Sequence, residues 1–147
     1  MRAAVAAAAT LAAAVGAGCG GGDPAPLSPA CSNGPGAILR ALAGAPGRVR
    51  LEDGTRLSEC VEHAFDDGEL QVLGTTLTPA ADTLAARATP TAALQLGYLI
   101  GAVRRGAGRT NGIHAELVRH LEGTATVRKP ALVAATRRGI AAGEARG

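Results

Sequence analysis

AALQLGYLIGAV, residues 92–103, is apolar around nearly the whole circumference of a helix. A helix without a polar face is buried on every side, either in a protein core or in a membrane. Twelve residues rise about 18 Å as a helix, well short of the roughly 30 Å of hydrocarbon that a span must cross. The segment is therefore read as the central helix of a bundle. Ala93, Gly97 and Gly101 recur at intervals of four, which stacks three small residues on one line and invites a neighbour to press against them. Substitution of Gly97 is expected to cost little if that line is open, and more if another backbone touches it.

Working outward, Thr89-Pro90 supplies a cap and a first-position proline for this helix, which runs to about residue 105. Before it, Asp66 and Glu69 form a capping-box pattern. The stripe Leu70, Leu73, Leu77, Ala80 or Ala81, Leu84 and Ala88 follows at steps of three and four. Pro79 cannot donate to the Thr75 carbonyl, so a kink or a fresh start capped by Thr78 is expected. After the central helix, Thr110 or Asn111 caps a helix whose buried line is Ile113, Leu117 and Leu121. A last helix, residues 130–142, carries Leu132, Val133, Thr136 and Ile140.

Towards the N-terminus, Ile38, Leu39 and Leu42 share a helical face within residues 36–43, stopped by Gly44-Ala45-Pro46-Gly47. Val49 and Leu51 alternate with charged residues and lead into Asp53-Gly54, a hairpin signal. A three-residue loop at 53–55 would set Leu51 opposite Leu57 and Glu52 opposite Arg56, and is preferred to a two-residue turn placing Leu51 against Arg56. Ser58 then reads as the N-cap of a short helix through Cys60, Val61 and Phe65. The expected fold is mainly α: a small bundle of four to six short helices with a short β-hairpin near 48–57. With one Phe, one Tyr and no Trp, its core must be built from Leu, Ile, Val and Ala, which lets helices approach closely.

Residues 3–17 form an alanine-rich apolar run preceded by Arg2 and closed by Gly16-Ala17-Gly18-Cys19-Gly20. About fifteen apolar residues behind a positive charge and before small residues make a secretory signal rather than an anchor. With Ala17, Gly18 and Gly20 flanking a single cysteine, residues 1–22 resemble the signal of the bacterial lipoprotein class. Gly16 departs from the pattern, standing where that class usually has leucine. The resemblance implies cleavage before Cys19, lipid on Cys19 and anchoring at the outer face of a membrane. The alternative is secretion after a cut near Ala17, with Cys19 left as a thiol. The expected organisation is a signal peptide at 1–18, a lipidated cysteine and Gly/Pro-rich tether at 19–33, one helical domain at 34–143 and a tail at 144–147.

Of three cysteines, lipid on Cys19 would leave Cys31 and Cys60 as a pair in an oxidising compartment. A bond closing a loop of about 30 residues contributes roughly 3 kcal/mol, mostly by restricting the unfolded chain. The alternative is two buried thiols. Neither cysteine has a second ligand at metal spacing beside it.

Catalytic signals are sparse. Serine occurs only at 28, 32 and 58, and no nucleophile elbow is present. Cys60 and His63 share a helical face, but oxidation of Cys60 would remove its nucleophile. His114 and His120 lie six apart, about 600° around a helix, and cannot share a metal within it. Residues 106–110 lack the lysine of a phosphate loop. Asp66, Asp67 and Glu69 cluster at a helix start, where negative charge is favoured anyway. No catalytic residue, metal or cofactor is expected. An enzyme or small-ligand receptor would need a concave pocket with convergent polar groups, near His63, His114 or Tyr98.

Charge is divided along the chain. Residues 19–89 hold five Arg against nine carboxylates, whereas 90–147 hold nine Lys or Arg against three. Either the halves face each other inside the bundle or solvate their own faces, or Arg104, Arg105, Arg109, Arg119, Arg128, Lys129, Arg137 and Arg138 form a candidate polyanion surface. Such a surface would attract anionic lipid or an envelope polyanion in a salt-sensitive way; a protein partner is the other expectation. Nucleic acid is not expected, since the aromatics that stack bases are missing. The function expected is a non-catalytic module of the cell envelope.

Overall fold

The structure, a computed structural model, describes residues 25–110, 112, 114–125 and 129–147. The signal run, Cys19, Asn111, Ile113 and Arg128 lie outside them. Among the described residues six helices form a bundle: α1 (Gly34–Leu42), α2 (Leu57–Glu62), α3 (Asp67–Arg87), α4 (Pro90–Ala107), α5 (Ala115–Thr124) and α6 (Pro130–Arg146). A 3₁₀ turn, Pro29–Ser32, precedes them, with Ala30 and Cys31 buried and Ser28 as its cap. Chain expected as spacer thus packs on the core from Leu27 onward, and α6 extends to Arg146 through residues expected as tail.

α4 is the buried centre. Leu96, Tyr98, Leu99, Ala102 and Val103 are each at most 1 % exposed, because helices cover the segment on every side. Its principal neighbour is α6, with α2, α3, α5 and α1 around it. The small line of α4 is occupied by backbone. A β-carbon on Gly97 would fall on the Thr136 carbonyl oxygen, and one on Gly101 on that of Ile140. Reciprocally, a β-carbon on Gly139 would meet the Leu94 carbonyl and one on Gly143 that of Tyr98. Position 101 meets 140 where position 97 meets 136, so the two helices run in the same direction. Contacts this close place glycine Cα–H groups against carbonyl oxygens, a weak attraction that recurs where helix backbones touch. α2 crosses α4 in the same manner, the Ser58 carbonyl and Val61 side chain resting on Gly106.

Asp66 caps α3 as expected, its side chain accepting from the Glu69 N–H at 2.8 Å. Thr89 caps α4, accepting from the Ala92 N–H at 3.2 Å. Three expectations are corrected. First, α3 is continuous through Pro79, so Thr78 does not start a new helix. Thr76 donates to the Val72 carbonyl and Thr83 to that of Pro79, hydroxyl bonds made within the same helix. Secondly, the hairpin near 48–57 does not form, and no strand occurs among the described residues. A turn closes instead, with the Gly54 N–H donating to Leu51 and the Leu51 N–H to Thr55, both at 2.9 Å. Glu52 pairs with Arg40 on α1 rather than with Arg56. Val49 and Leu51 bury themselves against helices, which removes the drive for strand pairing. Thirdly, Arg56 rather than Ser58 precedes α2: the Glu59 carboxylate accepts the Arg56 N–H at 2.7 Å. Ser58 is buried and donates to the Gly147 carbonyl oxygen, tying α2 to the end of the chain.

Candidate functional site

Cys31 and Cys60 form a disulfide across 29 positions, with their Cα atoms 5.7 Å apart. Both are at most 1 % exposed. The bond fastens the 3₁₀ turn to α2, and it consumes the thiol that would have stood beside His63. Ser28 reinforces the attachment, donating to the Asp53 carboxylate at 2.5 Å.

Four of the eight cations expected to form a polyanion surface have internal partners. Arg104 pairs with Glu122 and Glu144 at 2.7 and 3.2 Å. Arg109 pairs with Glu62 at 3.0 Å, and Arg119 with Glu116. Arg105 donates to the Glu144 and Ala145 carbonyls at 3.1 and 2.6 Å, capping the C-terminal end of α6. Lys129, Arg137 and Arg138 are exposed on or beside α6, with no ion pair among the described residues. Among the described residues, only the Arg109–Glu62 pair joins the basic half of the chain to the acidic half; the other pairs of these cations are made within the basic half.

Concave sites among the described residues include two of contrasting lining. One is an apolar groove of about 560 Å³ between α3 and α5, bordered by Leu70, Gly74, Thr75, Pro79, His114 and Leu117. Gly74 opens it, since a β-carbon there would meet nothing within 4 Å. At one end His114 is 1 % exposed; its Nδ1 lies 2.7 Å from the Thr110 hydroxyl, and Nε2 has no hydrogen-bond partner among the described residues. Thr110 therefore serves His114 and the Ala107 carbonyl rather than capping α5. Burial pushes the His114 pKa below its usual value, an effect partly offset by the Ala64 backbone.

That shift predicts a pH dependence. The unfolded chain takes up the His114 proton first, near pH 6.5. The stability associated with the neutral ring is therefore complete above that pH and is lost as pH falls towards the lowered folded value. Thermal unfolding should show a midpoint that declines as pH falls below about 6.5. In H114Q that slope should flatten. Asp53, held below its usual value by the Ser28 hydroxyl and Thr55, contributes only at lower pH. So does Glu59, in which hydrogen bonds from Arg56 outweigh the opposing effect of burial.

The second site, of about 430 Å³, is bordered by Arg48, Arg50, Arg56 and Arg146, with Val49 and Ala145 between them. The chain matches no known protein family, no curated protein and no solved structure. Among the described residues no three His, Cys, Asp or Glu side chains gather as a metal site would require. The arginine cavity had a partial signal in the sequence: Arg48 and Arg50 are two apart in extended chain, and so lie on one face. Arg146 comes from the other end of the chain, and no local pattern connects it to them.

Proposed function

We propose that the chain is an exported, lipid-anchored module of the cell envelope that binds another envelope component without chemistry of its own. The Cys31–Cys60 disulfide carries this reading. Such bonds persist in oxidising compartments and are rare in the cytosol, and this one leaves Cys19 as the single cysteine free for another use. The apolar run before Cys19 supplies the export signal. Among the described residues no helix is long and apolar enough to cross a membrane, so residence at the membrane would depend on acyl chains. In fractionated cells the wild-type protein should sediment with membranes, and C19A should move to the soluble exported fraction. Equal distribution of the two would refute the anchor.

The groove between α3 and α5 favours a second reading, in which the module carries a small apolar ligand. Its volume is that of a small-molecule site, and Gly74 supplies the opening. G74L should fold, because the position is unobstructed, while losing the fluorescence enhancement of an apolar naphthylamine probe. Retained enhancement would argue against occupancy of the groove.

A further inference from the structure

We infer that the cavity bordered by Arg48, Arg50, Arg56 and Arg146 is a binding site for a phosphate group. The inference deepens the envelope-binding reading, on which it rests only for the origin of the ligand. Arg48 and Arg146 are exposed and form no hydrogen bond or ion pair among the described residues. Arg50 spends one N–H on the Gly54 carbonyl at 3.1 Å. Only Arg56 is neutralised, by Glu59, whose carboxylate it contacts through Nε at 2.8 Å. The neighbouring carboxylate, Glu52, is engaged with Arg40 at 2.9 Å. Three guanidinium groups without a carboxylate hydrogen-bond partner among the described residues therefore border one concavity, whose positive potential favours an anion.

Arg105 already covers the Glu144 and Ala145 carbonyls, so the negative end of the α6 dipole is not what the cavity arginines face. Gly147 is buried, and its carbonyl oxygen takes the Ser58 hydroxyl. Beneath this side of the molecule lies the Tyr98 hydroxyl, fully buried and without a hydrogen-bond partner among the described residues. The cations that act on it electrostatically are Arg146, Arg50, Arg105 and Arg56, three of which border the cavity. Several guanidinium donors without hydrogen-bond partners among the described residues thus border the cavity, which the buried Tyr98 hydroxyl does not line. Phosphate suits them better than carboxylate: it offers more acceptor oxygens and up to two charges, and guanidinium forks bind it bidentately.

Binding can be measured with the unlipidated C19A chain, so that no acyl chain contributes. Inorganic pyrophosphate would be one probe. The other would be vesicles of equimolar phosphatidylglycerol and phosphatidylcholine, with phosphatidylcholine vesicles as control. Binding to at least one phosphate probe is expected, weakening with added salt. R48A/R50A should lower that affinity by about tenfold or more, the loss of two charge-assisted contacts. R137A/R138A, which removes equal charge elsewhere, should change it by less than about twofold. Both pairs are exposed, so an unchanged melting temperature verifies folding. Preference for pyrophosphate would identify a free anion as ligand, and preference for anionic vesicles a lipid headgroup. Failure to bind either probe, or equal losses in the two double variants, would overturn the assignment. Neither result would bear on the anchor, which the Cys19 fractionation tests separately.

Discussion

Replacing Gly97 with alanine is expected to destabilise the protein by about 3 kcal/mol, at the upper end of overpacking penalties. In an open helix the same change would stabilise by about 1 kcal/mol, because alanine is the better helix former. The sign is reversed by what the methyl group would meet. The Thr136 carbonyl and the Ile140 amide of α6 occupy its place, and backbone cannot turn aside as a flexible side chain can. α6 would have to withdraw, opening the contact along Gly101, Gly139 and Gly143 as well. G74A is the matched control: its β-carbon meets nothing within 4 Å, so it should stabilise by about 0.5–1 kcal/mol. Chemical denaturation of both variants tests the pair. A neutral or stabilised G97A would mean that α4 and α6 are not in backbone contact.

The close contact explains how a chain with one Phe and one Tyr maintains a core. Large side chains fill space between helices held well apart, whereas here small residues bring the helices together. Thr136 and Ile140 supply the carbonyls that rest on Gly97 and Gly101.

Loss of the Cys31–Cys60 bond is the second large effect. In C31S/C60S the unfolded chain regains the freedom of a 29-residue separation, expected to lower stability by about 3 kcal/mol. The domain's total is of order 5–15 kcal/mol, so the change takes a large share. The folded state suffers as well, since two polar hydroxyls would replace sulfurs that are at most 1 % exposed. The 3₁₀ turn, otherwise held by Leu27 and the Ser28–Asp53 bond, should become accessible to protease first. Reduction of the wild-type protein should reproduce the shift in melting temperature. An unchanged melting temperature under reducing conditions would show that the bond does not support the fold.

The helices were legible because their signals are local. Asp66 with Glu69, Thr89 with Pro90, and the steps of the Leu70–Leu84 stripe each act within one or two turns. The central position of α4 was also legible, since a helix without a polar face has one placement in a small domain. Its partner was harder to read. Ala135, Gly139, Gly143 and Gly147 recur every four residues, the same ladder as Ala93, Gly97 and Gly101. The larger side chains Leu132, Thr136 and Ile140 stand on the same helix and mask it. The hairpin failed because alternation records which residues are buried, and helices can bury Val49 and Leu51 as well as a second strand can. The arginine cavity joins residues about a hundred positions apart, and only the folded chain brings them together. Charge counts along the sequence likewise do not show which cations are paired: Arg104 and Arg109 have carboxylate partners on other elements.

The most direct test of the proposed placement is the intact mass of the protein isolated from membranes, measured before and after reduction. The expected mass is that of a chain beginning at Cys19 with acyl groups attached, rising by two hydrogens when Cys31–Cys60 is reduced. A chain retaining residues 1–18, without acyl groups and unchanged by reduction, would contradict it.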